Sequence, residues 1–208
     1  MAENPNPFEF PGADTKIEVN YKGKKVIGKV SGDALSRASP VWKNFVTPPW
    51  QKNDTSDFKS DRPPIDFLED DTQALLLLLN IAHLQFRRVP DELGYFELYQ
   101  IAILSDQYQC VELLYPWIGR WFANEELESK KDGQEGWLFI AWVFGRDDTF
   151  KALTSRLVLN AQKDTDGSLL LAHAYKLPEI MPIGIIGMQI CIVSLVQILI
   201  ETSYRKHN

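Results

Sequence analysis

Two short stretches near the start of the chain alternate apolar and polar residues, the pattern of a β-strand with one buried face. They cover Thr15–Tyr21 and Lys24–Val30, and the Lys22-Gly23 pair between them suits a two-residue turn. The residues that share one strand face are Ile17, Val19 and Tyr21 in the first stretch, and Val26 and Val30 in the second. We therefore expect a β-hairpin. Residues 1–14 before it carry three prolines and indicate an irregular arm.

The pattern then changes to apolar residues at helical spacing, with one short strand among the helices. In chain order it predicts two short helices over residues 33–46 interrupted at Pro40, an exposed loop over 48–64, a strand over 65–68, and helices over 73–86, Tyr95–Gln107 and 111–122. Asp70, Asp71 and Thr72 supply capping oxygens for the helix over 73–86. That helix is apolar nearly all round at its start, so it should lie at the centre of the core.

The second part of the chain has a different pattern. Residues 123–136 are charged and indicate a linker, in which Glu125, Glu126 and Glu128 are interpreted as a solvated face. Helices are predicted over residues 137–144, 148–161, 168–175 and 179–204. The sequence thus predicts an α+β domain over residues 15–122 and an all-α extension over residues 137–208.

Composition narrows the function classes. The net charge is −6 and the pI is about 5.1, so the chain has no long-range attraction for phosphate and nucleic acid is not an expected partner. The two cysteines, Cys110 and Cys191, are too few for a disulfide framework. Both are interpreted as small buried hydrophobes of a protein in the reducing cytoplasm or nucleus.

No residue pattern indicates catalysis, a metal or a cofactor. The three histidines lie far apart in sequence, and His83 on the apolar helix is interpreted as a partly buried core residue. Asp147 and Asp148 are interpreted as a helix N-cap instead of a catalytic carboxylate pair. The sequence therefore predicts a non-enzymatic protein with no metal and no cofactor.

A recognisable motif lies in the middle of the predicted α+β domain. Leu35, Ser39 and Trp42 form a Leu–x3–Ser–x2–aromatic run. It is followed by Ile65, Phe67 and an acidic helix start, and then by Leu98, Ala102, Leu104 and Cys110 in a helical hairpin. In this order the chain resembles the BTB/POZ domain, most of all its fungal stand-alone type. The resemblance implies a small mixed sheet with packed helices, in which Leu35 enters the core and Ser39 caps the helix begun by Pro40.

The resemblance also implies a function. BTB/POZ domains bind other proteins, so the chain is expected to self-associate as a homodimer or to pair with another BTB/POZ protein. The expected interface residues are Trp42, Phe45, Val46 and Trp50. Many family members carry a His four residues before the Leu and an Asp just before the first strand. Here those places hold Ser31 and Asp14.

One alternative function is a substrate adaptor that binds the cullin scaffold of a ubiquitin ligase. Cullin-binding members usually carry a hydrophobic–x–Glu motif after the aromatic, and no Glu occurs between Lys43 and Pro64. A second alternative is a tail-anchored membrane scaffold. Residues 183–200 carry no charge and are just long enough to span a bilayer. Gln189, Ser194 and Gln197 are costly in lipid, so a buried helix of a soluble protein is the favoured interpretation.

Overall fold

The computed structural model describes residues 6–48 and 62–160, and the backbone of two short strands at 162–163 and 169–170. The chain divides into two compact units, Met1–Ala123 and Asn124–Asn208. The class is α+β, with a three-stranded sheet and eight α-helices among the residues that are described. Several predictions fall outside these residues. They concern Trp50, Cys191, most of the 48–64 loop, the helix over 179–204 and the apolar run over 183–200.

The sheet of the first unit is built on the predicted hairpin. Strands β1 (Thr15–Tyr21) and β2 (Lys24–Val30) pair antiparallel, with the predicted bounds. Lys22 and Gly23 both have positive φ, at 53° and 72°, as a tight two-residue turn between twisted strands requires. Strand β3 (Ile65–Phe67) pairs parallel to β1, so the strand order is β2-β1-β3. The core faces of β1 and β2 are those predicted, since Ile17, Val19 and Val30 are fully buried.

The helices of the first unit follow the predicted order. They are α1 (Gly32–Ala38), α2 (Pro40–Val46), α3 (Thr72–Ala82), α4 (Tyr95–Gln107) and α5 (Tyr115–Trp121), with 3-10 turns at Phe86–Arg88 and Val111–Leu114. Helix α3 ends four residues before its predicted end because Leu84 adopts φ +60°, which a right-handed helix cannot continue. The helix predicted over 111–122 starts late because Pro116 has no N–H and is tolerated only in a first turn.

Two capping residues confirm the predicted helix starts. Ser39 Oγ accepts from the Trp42 N–H at 3.0 Å, and Pro40 occupies the first turn of α2. Asp71 Oδ1 accepts from the N–H groups of Gln73 and Ala74 at 3.1 and 2.9 Å at the start of α3. Each cap satisfies backbone donors that have no partner within the helix. As expected of a central helix, most of α3 is buried.

The N-terminal arm has no helix or strand over its described residues 6–14, as predicted, but it packs against the sheet. Phe8 and Phe10 are buried, and the arm runs parallel to β2. The Lys29 N–H donates to the Phe8 carbonyl at 2.8 Å, and the Phe10 N–H donates to the Lys29 carbonyl at 2.9 Å. The approach is close because β2 carries Gly28. A Cβ there would lie 2.6 Å from Phe8 Cβ.

The second unit contains α6 (Glu125–Glu128), α7 (Trp137–Val143), α8 (Asp147–Asn160) and the strands β4 (Gln162–Lys163) and β5 (Leu169–Leu170). Strand β5 corrects the helix predicted over 168–175, because Leu169 and Leu170 pair antiparallel with β4. The sequence between the two strands contains Asp, Gly and Ser, residues typical of turns. Within the described part of the chain, no helix combines the length and hydropathy needed to cross a membrane.

The charged segment before α7 also departs from its prediction. Glu125 is only 7% exposed, so it is not part of a solvated face. Its carboxylate accepts from Arg146 Nε and Nη2 at 2.9 and 2.6 Å and from Thr149 Oγ1 at 2.5 Å. A buried carboxylate is stable only when it is paired in this way. Glu126 and Glu128 are less buried and pair with the nearby Lys130 and Lys131.

Candidate interaction surfaces

Four aromatic rings of the first unit form one cluster, which we call the aromatic cluster: Trp42, Phe45, Phe67 and Tyr108. The Trp42 ring centroid lies 5.3 Å from that of Tyr108 and 6.3 Å from that of Phe67. The Phe45 ring makes edge contacts to Phe67 and Tyr108 at 6.3 and 6.4 Å. Trp42 and Phe45 lie three residues apart on α2, so both reach the same side of that helix.

The predicted interface residues have different exposures. Trp42 is 0% exposed, so it has no surface to offer a partner, and the structure corrects its assignment to the interface. Its ring fills the core between Phe67 and Tyr108. Phe45 is 42% exposed and Val46 is half-buried, so these two remain at the surface. Trp50 lies outside the described residues.

Phe45 and Val46 border a small cleft of about 170 Å³ between the start of β1 and helices α1 and α2. We call this surface the Phe45 face, and we define it by Phe45, Val46, Asp14, Asp33 and Arg62. Asp14 Oδ1 accepts from the Gly32 N–H at 2.7 Å and from Thr15 Oγ1 at 3.0 Å. Arg62 Nη1 donates to the Val46 carbonyl at 2.8 Å. The exposed aromatic is thus surrounded by charges of both signs.

Ser31 lies at the start of α1, and a histidine from another element contacts it. Ser31 Oγ caps α1 by accepting from the Ala34 N–H at 3.3 Å. Its own N–H donates to Nε2 of His83 at 2.9 Å, and His83 Nδ1 donates to the Leu79 carbonyl at 2.8 Å. The ring stacks on Phe10 with centroids 4.2 Å apart. Its predicted role as a partly buried histidine is therefore confirmed.

Burial raises the pKa of two ionisable groups close to Tyr108 of the aromatic cluster, Asp70 and Cys110. The Tyr108 hydroxyl donates to Asp70 Oδ2 at 2.5 Å. Burial raises the pKa of Asp70 above its ordinary value, although this hydrogen bond acts in the opposite direction. Burial also raises the pKa of the Cys110 thiol to about 12. Cys110 is therefore a neutral thiol at physiological pH, in keeping with a packing role and not with a nucleophilic one.

A second concave surface lies between α3 and α4, and no pattern in the sequence predicts it. We call it the α3–α4 pocket. Its volume is about 350 Å³, and residues of α3, α4 and the chain between them line it. Its polar lining residues are Asp71, Gln73, Asn80, Arg88 and Glu97. Asn80 is only 5% exposed, and its Oδ1 is buried without a hydrogen-bond partner. The available signal was a single amide within the otherwise apolar run of α3.

Comparison of the sequence with protein-family models and with curated proteins identifies no relative. No protein-family model matches the sequence, and a search of curated proteins finds no significant match. Metal chemistry gains no support from the geometry either, since in residues 6–48 and 62–160 no group of three His, Cys, Asp or Glu side chains is placed to hold an ion. The proposal below is therefore argued from the surfaces of the described residues.

Proposed function

We propose that this chain is a non-enzymatic protein–protein interaction module of the BTB/POZ type, which self-associates through the Phe45 face in the cytoplasm or nucleus. The order of elements supports the proposal: a hairpin, a helix pair, a third strand, a central helix and a helical hairpin. The packing of the motif supports it as well. Leu35 and Trp42 are fully buried, and Ser39 caps α2 while its hydroxyl donates to the Tyr108 carbonyl at 2.5 Å.

The observation that carries the proposal is the position of Phe45. Phe45 is 42% exposed, and contact of its apolar ring with water is unfavourable. The ring is nevertheless held in place by edge contacts to Phe67 and Tyr108. An aromatic side chain that is both exposed and already ordered loses little entropy when a partner covers it. Side chains of this kind serve as anchors in protein interfaces.

The charges around Phe45 favour a second copy as the partner. Asp14, Asp33 and Arg62 lie on the same face, so this face carries both signs. In a two-fold dimer the same patch meets itself, and residue i of one copy contacts residue j of the other in both directions. The acidic side chains of one copy can then lie opposite Arg62 of its partner, which would set the register of the dimer.

Light scattering on size-separated protein tests this proposal. We expect the wild-type chain to exceed its monomer mass of 23.8 kDa at micromolar concentration. Phe45→Glu should return the mass to that of a monomer, because it places a charge at the centre of an apolar contact. The matched control is Tyr115→Glu, since Tyr115 is also exposed but lies on α5. Control and wild type should have equal masses.

Two results would contradict self-association through the Phe45 face. One is a wild-type monomer throughout the micromolar range, and the other is an equal effect of the two Glu substitutions. Thermal melts of both variants must remain cooperative, so that a loss of mass is not a loss of folding. A pull-down with mass spectrometry then separates the partner classes. Recovery of a cullin without a second copy would favour the ubiquitin-ligase adaptor.

A further inference from the structure

Two hydrogen bonds from different elements fix Tyr108, the residue that follows α4. Its backbone carbonyl accepts from Ser39 Oγ at 2.5 Å, and its hydroxyl donates to Asp70 Oδ2 at 2.5 Å. Ser39 is the cap of α2, whereas Asp70 lies in the turn after β3. Because one contact fixes the backbone and the other fixes the far end of the side chain, the ring between them has little freedom to rotate.

The Phe45 ring packs against this tyrosine. Its centroid lies 6.4 Å from that of Tyr108 with the ring planes at 84°, and 6.3 Å from that of Phe67 with the planes at 60°. Since Phe45 is 42% exposed, much of its surface has no protein neighbour. The orientation of Phe45 therefore depends on a small number of contacts, and the one with Tyr108 is in turn set by the hydrogen bond to Asp70.

The charge of Asp70 is not explained by stability. Burial raises the pKa of its carboxyl above the ordinary value; the hydrogen bonds from Tyr108 and Gln107 oppose this effect, and the nearby Asp66 and Asp71 add to it. A raised pKa means that folding disfavours the ionised carboxylate relative to the protonated acid. Residues of this kind are expected where a site requires them.

An anchor side chain binds best when it already has its bound orientation. Immobilising a mobile side chain on association costs conformational entropy, and an ordered ring avoids that cost. Asp70 lies outside the residues that line the cleft at the Phe45 face, so it can affect that face only through Tyr108.

We propose that Asp70 is a positioning residue of the Phe45 face. By accepting from the Tyr108 hydroxyl it fixes the Tyr108 ring, and that ring keeps Phe45 in the orientation that a second copy meets. The effect on association rests on the proposed self-association, whereas the order of the Phe45 ring in a single copy does not.

Fluorine NMR of the full-length chain, with 4-fluorophenylalanine at position 45 alone, measures the order of this ring. Spectra are recorded at several concentrations, and light-scattering masses of the same samples give the shift of the monomer. We expect the monomer shift of wild type to differ from that of the free amino acid. In Asp70→Leu, which has no acceptor, and in Tyr108→Phe, which has no donor, it should move towards the free value.

Sedimentation equilibrium measures the effect on association. Asp70→Leu and Tyr108→Phe should each weaken self-association by up to about tenfold, the cost of ordering one side chain. The double variant should be no weaker than either single variant, because both remove the same hydrogen bond. Asp70→Asn keeps an acceptor oxygen and should restore both the fluorine shift and the association of wild type.

Two control variants separate positioning from charge and from stability. Glu69→Leu removes the exposed acid next to Asp70 in the chain, so it matches the change in net charge. Gly28→Ala disturbs the contact of the arm with β2 and leaves the aromatic cluster intact. Both should keep the fluorine shift of wild type, and neither should weaken self-association. Cooperative thermal melts establish that every variant is folded.

The possible failures are distinguishable. A fluorine shift that is the same in wild type, Asp70→Leu and Tyr108→Phe would overturn the positioning role, whatever the mass of the protein. Wild-type association in Asp70→Leu, or an equal loss in Glu69→Leu, would overturn the role of Asp70 at the interface while self-association stands. A wild type that is monomeric throughout would contradict self-association itself, and the fluorine shifts would still decide whether Asp70 positions Phe45.

Discussion

At the scale of single residues, His83 links three parts of the first unit. It follows α3 directly, its Nε2 accepts from the Ser31 N–H at the start of α1, and its ring stacks on Phe10 of the arm. Nδ1 must carry the proton, since it lies 2.8 Å from the Leu79 carbonyl oxygen. Both contacts therefore need the neutral imidazole, because a proton on Nε2 would point at the N–H of Ser31.

The pKa of His83 predicts a pH dependence of stability. Burial lowers this pKa below the ordinary value of 6.5, and the hydrogen bond to Leu79 only partly offsets the effect. The folded protein thus takes up the proton less readily than the unfolded chain does. The contribution of His83 to stability is complete above about pH 6.5 and is lost as the pH falls below that value. In His83→Gln this part of the pH dependence should be absent.

Urea unfolding from about pH 8 to about pH 5 measures this effect. We expect wild type to be more stable than His83→Gln at the upper end of the range, and the difference should narrow as the pH falls. Parallel profiles for wild type and His83→Gln would show that His83 does not respond to pH in this way.

At the scale of elements, the contact of the arm with β2 depends on one glycine. A Cβ at Gly28 would lie 2.6 Å from Phe8 Cβ and 2.9 Å from the Phe8 carbonyl oxygen, so backbone as well as side chain must move. We expect Gly28→Ala to reduce the free energy of unfolding by about 1–3 kcal/mol. The reason is that the arm must shift away and Phe8 loses its buried position.

A second glycine offers a matched control. A Cβ at Gly119 in α5 meets no atom within 4 Å, so Gly119→Ala creates no clash and improves helix propensity. It should be neutral or stabilising by up to about 1 kcal/mol. Denaturant unfolding of the two alanine variants gives the comparison. Equal stabilities would mean that the arm does not rest on Gly28.

The elements that local sequence specifies are the ones that the sequence predicts well. The hairpin follows from alternation around Lys22-Gly23, and the starts of α2 and α3 follow from Ser39 and Asp71, because turns and caps involve neighbours in the chain. The early end of α3 was not predictable in this way. It depends on the positive φ of Leu84, a conformation that leucine rarely adopts and that tertiary packing must impose.

Features that depend on distant partners were missed for the same reason. Phe8 is buried only because Gly28, twenty residues later, leaves room for it. In the sequence Glu125 cannot be told from its acidic neighbours. In the folded chain it is buried because Arg146 and Thr149 donate hydrogen bonds to its carboxylate. At the candidate sites the sequence identified Phe45 and Val46 but not the α3–α4 pocket, because a cavity between two helices leaves no pattern in either helix alone.

At the scale of the whole molecule, net charge and interface chemistry would make opposite contributions to the proposed self-association. Each copy carries a net charge of −6, so two copies repel each other at long range. The proposed central contact through Phe45 is apolar, so salt would not screen it. Exposed ion pairs at the rim, of the kind that Arg62 can form, contribute only about 0–1 kcal/mol each.

Added salt should therefore strengthen self-association. Raising the ionic strength from about 0.01 M to about 0.1 M shortens the screening length from about 30 Å to about 10 Å and weakens the repulsion. Sedimentation equilibrium should show tighter association of wild type at the higher salt. Phe45→Glu should stay monomeric at both. Dissociation of wild type by salt would instead mean that charge pairs, and not Phe45, hold the copies together.

The arm that lies along β2 has a consequence for the behaviour of the protein in concentrated solution. Without the arm, the backbone of β2 would present open N–H and C=O groups along a seven-residue strand, and such a row is a template onto which foreign chains can add. The other edge strand of the sheet is β3, which has only three residues and therefore offers little backbone for a foreign chain to pair with. The arm thus occupies backbone groups of this edge strand that would otherwise be open to pairing with other chains. Proteolytic trimming before Pro11 would remove it while leaving the hairpin in place, and the trimmed chain would be prone to forming β-rich fibrils.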